Sequence, residues 1–362
     1  MKNSEFSARR GAFAAQLREN QMEAYAIAFL PNVRYLTGFT GSSGMLLQMA
    51  SGDAVFFTDP RYQIQSAAEV DCQIRVSRKA LIQDLAAAVK RRKIRRLGFE
   101  KSRLGFEGYE FLNEHMPLQG TLTPLGGLIE TLRMVKSASE IELIRRSVLT
   151  NSRAFSQGVA RIRPGRTTEA DLAAEIDYRM RKLGAERPAF DTIVAAGPRA
   201  ALPHARPSRS ILGGNELILI DMGASQAGYA SDMTRMLHVG RPTPKALRIY
   251  KAVLQAQLAA IDAVRPGVAA AKVDQVAREV LKAEKLDRAF IHSTGHGLGL
   301  EIHEMPRLGK KDRTVLQEGM AITIEPGAYL EGVLGIRIED TVAVTRTGCE
   351  ILTPTSKDLL EL

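Results

Sequence analysis

Short apolar runs alternate with amphipathic segments along the first 130 or so residues. The runs AYAIAFL, MLLQM, AVFFTD and RRLGFE have the length of strands, and ALIQDLAAAVKRR has the apolar spacing of a helix. This alternation predicts a small α/β domain over residues 1–130. Two segments rich in turn-forming residues, PNVRYLTGFTGSSG and DPRY, are predicted as turns between these elements.

A second domain is predicted over residues 131–362. Ser137 and Glu140 have the spacing of a capping box, and the apolar residues that follow them recur at helical intervals. Further along the chain, the short apolar runs LILID, DMTRMLHV, AITIEP and GIRIEDTVAV predict strands.

The second domain contains an internal repeat. RPGRTTEADLAAEI at 163–176 and RPGVAAAKVDQVA at 265–277 each follow one predicted helix and open another, about 100 residues apart. After each of them come a strand, a histidine-containing loop and two strands that bear acids. We therefore expect an α+β domain of two halves related by a pseudo-two-fold axis, with helices covering the outer face of a curved antiparallel sheet. The repeat pairs His204 with His303, Asp221 with Glu325, and Asp232 with Glu339.

The composition is that of a folded globular protein, with 45% hydrophobic and 25% charged residues among 362. The N-terminal segment lacks the apolar core of a signal peptide, and no segment approaches the roughly 18 apolar residues of a membrane span. We therefore expect a cytoplasmic protein without a membrane partner. Cys72 and Cys349 are the only cysteines and lie far apart, so neither a disulfide framework nor a thiolate metal site is indicated.

The net charge of +10 suggests nucleic acid as a partner, because Lys and Arg side chains bind its phosphates. The one dense basic run, at 90–96, lies at the end of a predicted helix, where cations are favourable. No aromatic residues interleave with it to stack on bases. We therefore expect no nucleic-acid binding.

Four carboxylates and one imidazole lie in an order that fits a two-metal hydrolase. Each carboxylate stands in or beside a predicted strand, and four such groups in one pocket would repel one another unless cations lay among them. Two divalent ions would balance the four negative charges if the imidazole is neutral. Carboxylate-rich ligation favours manganese, with cobalt or zinc as alternatives. The five donors are Asp221, Asp232, His296, Glu325 and Glu339.

Structural explanations compete with the metal hypothesis for some of these residues. Asp221 follows a strand, where an acid is often a turn former or a cap. Arg337 precedes Glu339 by two positions and would share its face of one strand, so the two could form an ordinary ion pair. Asp232 and Glu339 lie within apolar patterns, however, where an unpaired carboxylate is costly.

Three histidines lie in the segment HSTGHGLGLEIHEMP, among glycines that let the backbone approach a ligand closely. The glycines would break the helix of a zinc-protease HExxH motif. His296 is the predicted metal ligand. We take His204 and His303 as candidates for hydrogen bonding to a substrate carbonyl and to its tetrahedral intermediate.

At these positions the chain resembles the pita-bread metallopeptidases, the family of methionine aminopeptidase, Xaa-Pro aminopeptidase and Xaa-Pro dipeptidase (prolidase). The motifs that carry the resemblance are IDMGASQAGYASDMTR, HSTGHGLGLEIHEMP, ITIEPGAY and GIRIED. The resemblance implies a pita-bread catalytic domain at 131–362 and a creatinase-like α/β domain at 1–130. It also implies residue roles: two metals on Asp221, Asp232, His296, Glu325 and Glu339, acid/base action by Glu325, and substrate contacts from His204, His303, His292 and Arg337.

Two features point to the proline-directed branch of that family. They are the separate N-terminal domain and Arg337, two residues before the last glutamate ligand. The Xaa-Pro bond has no N–H, so a protease that relies on that donor handles it poorly. We expect a homodimeric Xaa-Pro aminopeptidase that acts on Xaa-Pro peptides, with a dipeptide-only prolidase as the first alternative. A metal-dependent hydrolase of a non-peptide amide or ester is the second, and a basic binding protein with structural metals is the third.

Overall fold

The computed structural model describes residues 3–362 and consists of two compact units, one ending at Arg133 and the other spanning Met134–Leu362. No helix within residues 3–362 combines the length and the apolar character needed to cross a membrane.

The first unit is a mixed α/β structure. Its helices are α1 (Asn3–Glu19), α2 (Leu30–Thr37), α3 (Gln63–Glu69), α4 (Leu81–Arg91) and α5 (Phe106–Glu114), and α6 (Leu128–Met134) follows; a 3₁₀ turn covers Pro60–Tyr62. Its strands are β1 (Ala24–Ile27), β2 (Gly44–Met49), β3 (Ala54–Thr58), β4 (Gln73–Val76), β5 (Arg96–Glu100) and β6 (Thr121–Leu125).

The six strands form one sheet in the order β4-β3-β2-β1-β5-β6. The β1–β2 and β2–β3 pairs are antiparallel, and the other three pairs are parallel. Leu47, Phe57 and Leu97 from the sheet pack with Leu85 and Val89 of α4 in the core. The basic run at 90–96, which begins in the last turn of α4, is exposed except for its apolar Ile94, as expected of a solvated helix end.

The prediction of a turn over PNVRYLTGFTGSSG is wrong for its first half, which forms helix α2. Pro31 lies in the first turn of that helix, where its missing N–H costs nothing. Gly38 ends the helix with φ at 80°, a left-handed conformation that glycine adopts without strain. Both helix signals were present in the sequence but were outweighed by its glycine and serine content.

The second unit contains the acid-bearing strands. Its helices are α7 (Ala138–Val159), α8 (Glu169–Lys182), α9 (Pro244–Asp262) and α10 (Ala270–Ala283), with 3₁₀ turns at Gly197–Ala201 and Asp287–Ala289. Strands of its first half are β7 (Arg187–Pro188), β8 (Ile193–Ala196), β9 (Leu217–Met222), β10 (Ala224–Gln226), β11 (Tyr229–Ala230) and β12 (Met233–His238). Strands of its second half are β13 (Gly295–Gly297), β14 (Glu304–Leu308), β15 (Ala321–Ile324), β16 (Gly327–Leu330), β17 (Leu334–Arg337), β18 (Asp340–Val344), β19 (Cys349–Ile351) and β20 (Leu360–Glu361).

These strands form two main sheets, ordered β20-β12-β9-β8 and β14-β13-β15-β18-β19. All their pairs are antiparallel except β12–β20. Two smaller sheets, β11-β10-β7 and β16-β17, complete the unit. The capping box predicted for Ser137 and Glu140 is confirmed at the start of α7.

The internal repeat is confirmed by matching backbone hydrogen bonds in the two halves. Gly165 N donates to Leu212 O at 2.7 Å in the first half, and Gly267 N donates to Leu316 O at 2.9 Å in the second. Each pair precedes a helix, α8 or α10, and each helix leads to one of the main antiparallel sheets. Separate apolar clusters join α7 and α8 to β9 and β12, and join α9 and α10 to β15 and β18. The second domain is therefore the expected pseudo-symmetric α+β structure.

The run GIRIEDTVAV, which predicts a single strand, forms two strands instead. The chain leaves β17 after Arg337 and enters β18 at Asp340. Between them, Ile338 N donates to Pro326 O at 3.4 Å and Glu339 N donates to Thr234 O at 3.2 Å. The apolar pattern continues through this change of partners because both strands are buried.

Candidate metal centre

The carboxylates are presented at the ends of two hairpins. In the first half, Asp221 on β9 lies opposite Thr234 on β12, and Asp232 immediately precedes β12. The backbone hydrogen bond from Glu339 N to Thr234 O brings the second half's carboxylates to the same place.

The second hairpin has the same arrangement. Ile324 on β15 pairs with Asp340 on β18, so Glu325 and Glu339 lie just beyond that last pair. Each half thus contributes two acids, as the repeat predicts. Asp221 lies on a strand, and the other three acids lie directly beside the end of a strand, where the neighbouring strand pairs hold the backbone.

His296 lies on β13 within reach of these acids. Its Nε2 atom is 3.6 Å from Asp232 Oδ2 and 3.4 Å from Glu325 Oε1. One ligating atom each from Asp232, His296 and Glu339 fit within 4.8 Å of one another. The glycines on either side of His296 are required, because a Cβ on Gly295 or Gly297 would overlap a carbonyl oxygen of the neighbouring strand.

Three buried carboxylate oxygens in this group have no hydrogen-bond partner among the residues described. They are Asp221 Oδ1, Asp232 Oδ1 and Glu339 Oε1. An unsatisfied buried acceptor costs about 1–3 kcal/mol, and more when it is charged. Divalent cations would satisfy all three oxygens, and carboxylates with one imidazole suit hard or borderline ions. The residues present therefore fit a divalent metal.

The electrostatics of the cluster agree with this reading. Burial, with the charges of the other acids, raises the pKa of Asp232 and of Glu339 well above the ordinary values. Burial and the nearby Asp221 raise the pKa of Glu325 to about 8, against the opposing effect of Arg337. Burial lowers the pKa of His296 to about 4, so its ring is neutral at pH 7, as metal ligation requires.

Arg337 pairs with Asp221, and among the residues described it forms no ion pair with Glu339, the contact that competes with the metal hypothesis for that acid. Its Nη2 atom is 2.5 Å from Asp221 Oδ2, its Nε atom donates to Thr234 Oγ1 at 3.1 Å, and Nη1 donates to Tyr329 Oη at 2.7 Å. The change of strand after Arg337 turns it away from Glu339. Its side chain is only 3% exposed, so these contacts hold the guanidinium inside the protein.

Two threonines hold the acids of the cluster and were not singled out from the sequence. Thr234 Oγ1 donates to Glu339 Oε2 at 2.7 Å, and Thr323 Oγ1 lies 3.3 Å from Glu325 Oε1. Thr323 Oγ1 also accepts from His296 N at 3.0 Å. Thr234 lies two positions after Asp232, and Thr323 lies two positions before Glu325. In an extended chain this spacing places the threonine on the same face as the nearby acid.

The other predicted histidines lie beside the cluster. The rings of His296 and His303 are 4.5 Å apart, and His292 Nε2 is 2.8 Å from Tyr329 Oη. Burial lowers the pKa of His292 to about 4 and also lowers the pKa of His303, with His204 adding to both effects. His204 and His303 are exposed, as contacts for a ligand would be.

Arg307 was also missed in the sequence. It lies on β14 directly opposite His296, so the two side chains share one face of the sheet. Its side chain is exposed, and its positive charge contributes to lowering the pKa of both His296 and Glu325. The segment HEMPR contains it, but no local pattern identifies which cation faces a site across a strand pair.

The fold and this cluster define a metal-dependent hydrolase, with buried carboxylates and a neutral imidazole surrounded by exposed histidines and one cation. Residues 142–346 match the model of metallopeptidase family M24, and residues 9–135 match the creatinase/prolidase N-terminal domain. The chain belongs to metallopeptidase family M24 and is a metallo-exopeptidase.

Relatives resemble the chain over nearly its whole length. It is 37% identical to a Xaa-Pro dipeptidase of Pyrococcus furiosus over 342 residues, covering 94% of this chain and 96% of the relative. A Xaa-Pro dipeptidase structure from Bacillus anthracis superposes with a TM-score of 0.95 at 35% identity, covering 99% of this chain and 100% of that one. An X-Pro aminopeptidase structure from Thermotoga maritima gives 0.89 at 34% identity, with 96% and 100% covered.

Proposed function

We propose that this protein is a two-metal Xaa-Pro dipeptidase. The curated dipeptidase relative and the dipeptidase structure from Bacillus anthracis support this substrate class. They favour the prolidase alternative over the Xaa-Pro aminopeptidase expected from the sequence. The homodimer and the cytoplasmic location stay predictions.

In this proposal the five donors Asp221, Asp232, His296, Glu325 and Glu339 hold two divalent ions, with manganese as the first ion to test. Such ions would act as Lewis acids toward the peptide carbonyl and would lower the pKa of water. Arg337 would position Asp221 rather than contact the substrate, because its guanidinium is buried and already hydrogen-bonds to Asp221, Thr234 and Tyr329.

Glu325 is suited to carry the proton. Its Oε1 atom lies 3.4 Å from His296 Nε2, so its carboxylate would stand at the edge of the proposed ions, within reach of the proton of an attacking water. It would take a proton from the attacking water and deliver it to the proline nitrogen as the amide C–N bond breaks. The tertiary amide nitrogen becomes a secondary amine in that step, so it needs the proton in order to leave.

The exposed histidines would orient the substrate. His303 lies beside His296, and lowering of its pKa favours the neutral ring, which keeps one N–H donor for a carbonyl oxygen. His204 lies close enough to affect the pKa of His303 and would supply the second donor. Developing negative charge on the carbonyl oxygen would strengthen both hydrogen bonds.

The position of Arg307 opposite His296 is the observation that supports a preference for dipeptides. A Xaa-Pro dipeptide ends in a carboxylate one residue beyond the scissile bond, whereas a longer peptide has an amide there. An exposed guanidinium on the metal-facing side of β14 can bind that carboxylate through two parallel hydrogen bonds. We therefore propose that Arg307 selects dipeptides.

The test compares a Xaa-Pro dipeptide with its C-terminal amide in wild type and in Arg307→Met. We expect the substitution to raise KM for the dipeptide by 10-fold or more, about 1.4 kcal/mol, while the amide is cleaved with unchanged kinetics. Lys310→Met is the matched control, because Lys310 is an exposed cation that follows the same strand. Equal losses on both substrates, or none, would remove Arg307 from this role.

A second comparison separates the two peptidase activities. Wild-type protein supplied with manganese should cleave the dipeptide far faster than a Xaa-Pro tripeptide. Faster release of the first residue from the tripeptide would restore the aminopeptidase reading. No cleavage of either peptide by protein with confirmed bound metal would point to a non-peptide substrate.

A further inference from the structure

Arg235 is the largest fully buried side chain of the described residues and lies next to the metal centre without belonging to it. Its guanidinium makes five hydrogen bonds, all to groups on three separate segments. The acceptors are Thr234 O at 3.0 Å, Glu339 O at 2.5 Å, Asp340 Oδ1 at 2.7 Å, Thr355 O at 2.6 Å and Ser356 O at 2.8 Å.

The contact with Glu339 is significant because that residue lies outside the strand ladders. Its N–H donates to Thr234 O, and its carbonyl accepts from Arg235 Nη1. The same Nη1 atom also donates to Thr234 O. One guanidinium nitrogen therefore ties together the backbones of the two hairpin ends that present the acids.

Asp340 and the C-terminal segment hold Arg235 in this position. Asp340 has no exposed surface, and its other oxygen accepts from Gln257 Nε2 at 2.9 Å and from Lys357 Nζ at 2.6 Å. Tyr250 Oη donates to Lys357 O, which fixes the backbone of the same segment. A buried arginine with this many directed partners has one orientation, because its planar donors must match fixed acceptors.

We infer that Arg235 is a positioning residue for the metal centre. It fixes the position of Glu339 relative to Asp232, and Asp340 and residues 355–357 hold Arg235 in place. The inference rests on the proposed role of Glu339 as a metal ligand. Loss of Arg235 would free the Glu339 carbonyl and let the Glu339 carboxylate move away from Asp232. Metal affinity, which depends on the distance between those two acids, should fall.

The experiment measures manganese binding to Arg235→Lys by the electron paramagnetic resonance signal of free Mn²⁺, together with the thermal midpoint of the metal-free protein. Lysine keeps the charge but cannot reach five acceptors on three segments. We expect a loss of about 10- to 100-fold in Mn²⁺ affinity, the range found for residues that orient metal ligands.

Arg10→Lys is the matched control. Arg10 is likewise buried, pairs with Asp71 at 2.6 Å and donates to a backbone carbonyl, that of Leu36, at 2.8 Å, but it belongs to the first unit. It should lower the thermal midpoint without changing Mn²⁺ affinity. A milder variant, Lys357→Met, should weaken Mn²⁺ binding several-fold and covers the case in which Arg235→Lys fails to fold.

Glu339→Gln distinguishes failure of this inference from failure of the proposed metal site. If Glu339→Gln weakens Mn²⁺ binding but Arg235→Lys and Lys357→Met bind like wild type, the positioning role is overturned and the ligand stands. If Glu339→Gln also binds like wild type, the assignment of Glu339 as a ligand is wrong, and the inference falls with it.

Discussion

In the metal-free protein, the free energy of unfolding should fall as the pH rises from 6.5 to 8. The cause is the set of buried carboxyl groups in the metal centre, which hold protons in the folded, metal-free protein. Burial raises the pKa of Glu325 to about 8 and raises that of Asp232 and Glu339 as well. In the unfolded chain the same groups ionise near their ordinary values.

The sign follows from the count of bound protons. Between the ordinary pKa of 4.5 and about 8, the unfolded chain has lost the Glu325 proton while the folded protein keeps it. The folded state then binds more protons, so the free energy of unfolding falls with rising pH. His296 acts in the opposite direction, but only below its ordinary pKa of 6.5, because its folded value is about 4. The window above pH 6.5 is therefore governed by the carboxyl groups.

The size of the effect can be worked out for Glu325 alone. At about 1.4 kcal/mol per pH unit, the window from pH 6.5 to the pKa of about 8 removes roughly 2 kcal/mol from the free energy of unfolding. For a unit of 150–250 residues this corresponds to roughly 4–8 °C in thermal midpoint. The pKa values of Asp232 and Glu339 are raised as well, so these two groups contribute to the decline in the same direction.

The assay is a series of thermal unfolding curves on chelator-treated protein at four pH values from 6.5 to 8. Added Mn²⁺ should remove the decline, because ligands must be deprotonated to bind and the metal replaces their protons. Glu325→Gln should reduce the slope by the equivalent of one proton, since an amide does not titrate. A metal-free wild type that is as stable at pH 8 as at pH 6.5 would refute this account of the cluster.

Two further substitutions test the surroundings of the site. Tyr329→Phe removes the hydroxyl that hydrogen-bonds to both Arg337 and His292. It should lower the free energy of unfolding, measured with denaturant, by about 1–3 kcal/mol, because a buried guanidinium donor loses its partner. A loss of less than about half a kcal/mol would argue against a structural role for these two hydrogen bonds. Glu169→Gln should lower kcat/KM, because this buried carboxylate accepts from Ala196 N at 2.8 Å and Ser208 N at 2.9 Å and so holds both ends of the loop that carries His204. The half-buried α8 pair of Glu175 and Arg179 supplies the control, Glu175→Gln, which should leave kcat/KM unchanged.

The acids and the hairpins that carry them could be predicted because their signals are local. An acid such as Asp232 or Glu339 inside an apolar run stands out from its neighbours, and the repeat supplies an independent match. The partners of these acids could not be predicted in the same way. Arg337 meets Asp221, and Arg235 meets Glu339, across more than 100 residues of chain, so no spacing in the sequence contains the contact.

The split of GIRIEDTVAV shows why this limit matters for function. Continuous alternation through the run places Arg337 and Glu339 on one face, and that geometry favours a simple ion pair. The change of strand between them instead pairs Arg337 with Asp221, and one Glu339 oxygen has no hydrogen-bond partner within the described part of the chain. The backbone break thus removes a competing cation from a carboxylate that is proposed to bind metal.

The pairing of Arg337 with Asp221 also changes the charge balance of the site. From the sequence, two divalent ions balance four carboxylates and leave the cluster neutral. The structure adds the buried guanidinium of Arg337, so the same two ions would leave one positive charge in a region of low dielectric. An isolated charge there is costly, and one small anion would offset it. In the proposed two-metal site, one bound anion would therefore be favoured beside the ions, because it would bring the total charge of the site back to zero.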